Sequence, residues 1–119
     1  MQPDILSLQH SDFDVKMSWD MNTIDGKTVI DGVIQNIRYA MMEDIEIWVA
    51  LLDSNGKTVK RAVDLVMPLR LDMNEVATFR VIFPLVVPHG AKLLFSYKYD
   101  GSDGGDSTKW RQSFESYAP

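Results

Sequence analysis

Apolar and polar residues take turns along most of this chain, and the period of the alternation is two. Phe13, Val15, Met17 and Trp19 are separated by Asp14, Lys16 and Ser18, which predicts a half-buried strand over 13–20 with the apolar set inward. Trp19, in phase with Phe13 and Val15, is expected in the core. Asn22 to Lys27 reads as a loop closing on Asp25-Gly26, because glycine accepts positive φ without steric cost. A second strand covers 28–37, with Ile30, Gly32, Ile34 and Asn36 on one face and Val29, Val33 and Ile37 on the other. Glycine inside a strand marks a bulge or the close approach of another element. Asn36 is suited to bonding the backbone of the turn that follows it.

After a connector over 38–44 comes the strictest alternation in the chain. Ile45, Ile47, Val49 and Leu51 share one side of a strand, and Glu46, Trp48, Ala50 and Leu52 the other. Asp53-Ser54-Asn55-Gly56 supplies a turn, and a return arm over 58–66 is expected to point Val59, Val63 and Leu65 inward. Pro68 ends regular pairing, and 69–75 reads as a crossover anchored by Leu71. Ala77, Phe79, Val81 and Phe83 define a fifth strand, and Leu93, Phe95, Tyr97 and Tyr99 a sixth. A polar loop over 101–107 leads to the last strand, which shows Trp110, Gln112 and Phe114 on one side. Nowhere do apolar residues hold the spacing of an amphipathic helix.

These seven strands predict an all-β fold, an antiparallel β-sandwich with one domain over 12–119 and a lead-in or linker over 1–11. A closed barrel is the alternative. The long connectors at 38–44, 67–75 and 84–90 favour the sandwich, since they read as moves between sheets.

Gly32-Val33-Ile34-Gln35-Asn36, then Val49 to Val59 with its Asp53-Ser54-Asn55-Gly56-Lys57 turn, and later Phe79, resemble the FxLYD family of bacterial and archaeal domains. The likeness spans residues 28 to 83; Val49 and Leu52 stand where the family carries Phe and Tyr, and Met73-Asn74-Glu75 where it often has Pro-Gly. The resemblance implies an immunoglobulin-like sandwich and a periplasmic, cell-surface or secreted location. It implies no activity and no site.

Composition narrows the function classes. A formal net charge of −5 over 119 residues argues against phosphate-backbone binding and against an anionic membrane surface. Without cysteine there is no disulfide, thiolate zinc site, cysteine nucleophile or blue-copper centre. No stretch approaches the ~20 apolar residues of a membrane-spanning helix, so no membrane insertion is expected. Met1 to Gln9 lacks the charged and apolar regions of a signal peptide.

Candidate chemistry is sparse. Asp100, Asp103 and Asp106 offer hard oxygen ligands in a glycine-rich loop, a candidate calcium site whose spacing matches no EF-hand; the alternative is a solvated hairpin. Trp48 and Leu52 lie on the face that the alternation does not require to be buried. With Trp110 they are candidates for a platform that takes a partner protein or a glycan. His10 and His89 read as surface residues, and no nucleophile elbow is present. Thioether copper binding by the seven methionines is set aside in favour of core filling. The expectation is a non-enzymatic binding or accessory module acting by protein–protein contact at an edge strand or at the loops 20–27, 54–57 and 101–107. A carbohydrate-binding module with a structural calcium is the alternative.

Overall fold

The computed structural model describes residues 6–119, which form strands β1 (Leu8–Ser11), β2 (Val15–Ile24), β3 (Lys27–Asn36), β4 (Met41–Leu52), β5 (Thr58–Leu65), β6 (Arg70–Asp72), β7 (Val76–Phe83), β8 (Lys92–Ser102) and β9 (Thr108–Tyr117). Two antiparallel sheets result. Sheet A runs β1-β2-β3-β7, and sheet B runs β5-β4-β8-β9 with the short β6 paired to β4. No helix occurs among the described residues. All seven expected strands are present. The two added ones are β1, inside the stretch read as lead-in, and β6, inside the crossover. The sandwich therefore begins at Leu8, four residues before the expected boundary, because His10 and its neighbours pair with Lys16 to Trp19. The rest of the expected lead-in, residues 1–5, lies outside the described residues.

The core is where the alternation puts it. Val15, Met17, Trp19, Ile30, Ile34, Ile47, Val49, Phe79, Val81, Phe83, Leu93, Phe95 and Tyr97 are all buried between the sheets. Gly32 is opposite Phe79 in the β3–β7 ladder, and a side chain on it would collide with the Phe79 ring. That close approach, and not a bulge, is what the glycine serves. Asn36 is fully buried and uses all of its amide: Oδ1 accepts from Arg38 N and Tyr39 N, while Nδ2 donates to Tyr39 O and Leu71 O. At the far hairpin Asp53 Oδ1 accepts from Asn55 N and Lys57 N, and Gly56 takes a φ of 81°.

Three expectations about facing are corrected. Phe13 is 46% exposed and Asp14 is fully buried, the reverse of the alternation. The chain bends between β1 and β2, with Asp12 N bonded to Val15 O, so the strand's phase starts only at Val15. In β5, Val59, Val63 and Leu65 face solvent, at 57%, 49% and 48% exposure. The ladder aligns Ala62 with Val49 and Asp64 with Ile47, so these two take the inner positions instead. The connector over 38–44 is partly strand. A bulge at Asp44 (φ 54°) sets residues 44 and 45 against one residue of β8, which lets both Met42 and Ile45 face the core.

Candidate binding face

Glu46, Trp48, Ala50 and Leu52 point away from sheet A, onto the outer face of sheet B. Register extends each of them into a row. Trp48 aligns with Val63 on β5, Ser96 on β8 and, through it, Ser113 on β9. Ala50 aligns with Arg61 and Leu94, and Glu46 with Leu65, Lys98 and Arg111. No layer of the described residues lies over this face, as the exposure of Val63 and Leu65 shows.

Trp48 is half-buried in the sheet surface. Its Nε1 donates to Glu46 Oε1 at 3.0 Å, and the Lys98 ammonium sits 5.3 Å from its ring centroid. Around it opens a cleft of about 240 Å³, lined by Ala50, Arg61, Leu94, Lys98 and Arg111 among others, with no carboxylate in its wall. Arg61, Lys98 and Arg111 make no ion pair among the described residues. On a chain of net charge −5 these three cations gather around an aromatic ring whose Nε1 is held by the carboxylate of Glu46.

The strand that carries Lys98 is clamped from behind. Tyr97 and Tyr99 flank it on the inner face, and both hydroxyls donate to Asp14: Tyr97 to Oδ1 at 2.7 Å, Tyr99 to Oδ2. The Tyr97 oxygen also lies 2.9 Å from Asp12 Oδ2, so its one proton is shared between the two carboxylates, and that Asp12 atom lies 3.0 Å from His10 Nε2. His10 in turn stacks on Phe114, with ring centroids 3.6 Å apart. His10 is thus a packed residue and not the surface histidine expected. Burial holds both phenols well above the usual tyrosine range, and the hydrogen bonds and negative charge of Asp14 add to the shift. Sequence reasoning missed Asp14. The only signal was a polar residue next to the first strand, which the alternation assigns to solvent. Asp14 is closed off from solvent, so its part in the cluster is to position β8.

The other candidate residues are scattered. Trp110 aligns with Tyr99 on the inner face and packs against Tyr39 and the edge of Phe13, so it shares no platform with Trp48. Leu52 lies at the end of β4 in a separate hollow with Asp53, Pro88 and His89. Asp100 belongs to β8, opposite Glu43 and Lys109, while Asp103 and Asp106 are exposed in the following hairpin. Among the described residues no group of three acidic or histidine side chains is placed to hold a metal ion, and Asp100, Asp103 and Asp106 are not gathered into one.

Solved structures share this arrangement of strands. The GAE domain of GGA2p from Saccharomyces cerevisiae superposes with a TM-score of 0.63 at 11% identity, covering 95% of this chain and 96% of that one. The yeast GGA1 GAE domain–P21 structure gives 0.60 at 12% identity, covering 94% and 98%. A protein assigned as ApaA from Bordetella pertussis gives 0.59 at 13%, covering 96% and 98%. The fold is an immunoglobulin-like β-sandwich. At these identities the likeness concerns the fold alone. No protein-family model and no curated protein matches the chain in sequence, so the likeness to FxLYD domains stands on the residues quoted for it.

Proposed function

We propose that this protein is a non-enzymatic binding module whose outer sheet B face takes an extended, acidic segment of a partner protein. The observation that carries this is the cleft around Trp48, where three cations face solvent with no carboxylate in the wall. Carboxylates of the segment pair with Arg61, Lys98 and Arg111, and an apolar side chain lies along Trp48, Val63 and Leu65. Two of the structures of like fold are GAE domains, which agrees with a binding role without deciding it. A glycan is favoured less, because the three cations of the wall suit carboxylates better than the neutral hydroxyls of a sugar. The likeness to FxLYD domains alone supports a prokaryotic envelope or secreted location, which fractionation of cells carrying the native gene tests.

A library of peptides displayed against the purified protein tests the reading. Acidic sequences with one large apolar residue are expected to be enriched. Their affinity is expected to fall about tenfold or more in Lys98→Glu, for loss and reversal of one partly desolvated charge, and to fall again with added salt. Enrichment of neutral or basic peptides, or acidic binding untouched by Lys98→Glu and Arg61→Glu, overturns it.

A further inference from the structure

β9 is the long open edge of the molecule. β8 takes one side of it over ten residues with no bulge, and sheet B ends there. The other sheet edges among the described residues are short or closed. β1 has four residues. β5 and β7 meet on the opposite side of the sandwich, where Arg80 N donates to Asp64 Oδ2 at 2.9 Å and Met67 bridges Thr78. An open edge offers its alternate N–H and C=O groups to any further strand, and proline, a bulge or charged side chains guard against pairing. β9 has no proline and no bulge.

It has instead a charge order that is its own complement. The outer face of β9 reads Lys109, Arg111, Ser113, Glu115, Tyr117, all exposed, with Tyr117 at 60%. Partners in an antiparallel ladder point to the same face, so two copies of β9 can pair about a two-fold axis perpendicular to the sheet that passes through a residue. With the axis at Ser113, each Arg111 falls opposite the second copy's Glu115, and each Lys109 opposite its Tyr117. Moving the axis to Arg111 or Glu115 sets like charges against each other. Moving it to Gln112 does set Lys109 opposite Glu115, but it leaves Arg111 opposite serine and carries Tyr117 past the end of the strand, so the outer face keeps fewer of its contacts. On the inner face the Ser113 register sets Gln112 against Phe114, a ring that is only partly buried in the single chain. Glu115 already holds Lys92 at 2.9 Å across β8, so a second cation would complete a three-residue network.

We propose that β9 pairs with β9 of a second copy, antiparallel with Ser113 on the two-fold axis. Sheet B then runs as one sheet, four strands from each copy, and the two Trp48 clefts open on the same face. The pairing rests on the edge and its charges; Arg111 is common to both proposals, as a residue of the cleft wall and as the partner of Glu115.

The chain has no cysteine, so a single introduced thiol reads the register directly. Ser113→Cys sets two thiols opposite each other at a separation that a disulfide spans, whereas Lys109→Cys, equally exposed, meets Tyr117. Under mild oxidation Ser113→Cys is expected to cross-link about tenfold faster than Lys109→Cys or more. Sedimentation of the unmodified protein is expected to show a concentration-dependent dimer. Glu115→Arg weakens that dimer about tenfold or more, and the double exchange Arg111→Glu with Glu115→Arg restores it. Equal cross-linking rates, a monomer up to about 1 mM protein, or a dimer untouched by Glu115→Arg overturns the proposal. If Glu115→Arg does not fold, the cysteine pair decides. Neither readout depends on peptide binding, so this proposal and the cleft fail separately.

Discussion

Single residues hold the ends of this sandwich together. Asn36 is the plainest case, since one buried amide satisfies four backbone groups, from the Arg38–Tyr39 turn to Leu71. Replacing it by alanine strands those groups away from water, and the expected loss is about 2–4 kcal/mol of unfolding free energy. Urea unfolding checks this, and a loss below about 1 kcal/mol would mean that solvent reaches the turn. The role of Asn36 was legible in sequence, because an asparagine ending an apolar strand has few other uses. That of Asp14 was not. Its partners, Tyr97 and Tyr99, are more than eighty positions away, and nothing local to Asp14 marks it as buried.

At the scale of elements, the phase of each strand is the decisive quantity, because a shift of one residue exchanges its faces. β4 keeps Met42 and Ile45 inward together only by placing Asp44 at a φ of 54°. Aspartate tolerates that conformation, whereas a β-branched residue does not. Asp44→Val is therefore expected to cost about 1–2 kcal/mol, while Asp44→Asn stays near the parent. Thermal unfolding of the two variants side by side tests whether the bulge is a necessity of β4. The same logic explains β5. Its own residues favour Val63 and Leu65 as the inner set, but pairing with β4 puts Ala62 and Asp64 there. This is useful at the edge, where the Asp64 carboxylate bonds Arg80 N of β7.

For the whole molecule, the buried tyrosine cluster couples stability to alkaline pH. The folded state holds the Tyr97 and Tyr99 phenols above the value of about 10 that they have in the unfolded chain. Their contribution is thus fully present below pH ~10 and is lost as pH rises beyond it, because the unfolded chain releases protons that the folded one retains. Tyr97 and Tyr99 are expected to ionise only as the sandwich unfolds. Tyrosinate absorbance followed beside circular dichroism shows this as a late step coincident with loss of the β signal. Ionisation of Tyr97 and Tyr99 with the fold intact would show that solvent reaches the Asp14 cluster. The binding proposed for the cleft involves different groups and is expected to vary with ionic strength, through Arg61, Lys98 and Arg111.

The amino-acid sequence by itself determined the strands, most of the core and the tight turns. Alternation and turn chemistry act over a few residues and can be read wherever they occur. It also singled out Trp48, on a face that the alternation left undecided. Only the tertiary structure decided that this face is open, that Arg61, Lys98 and Arg111 gather beside Trp48 from three strands, and that Trp110 faces the other way. Those facts depend on which strands are neighbours and in what register. Both are set by contacts between residues far apart in the chain, where no local pattern reaches.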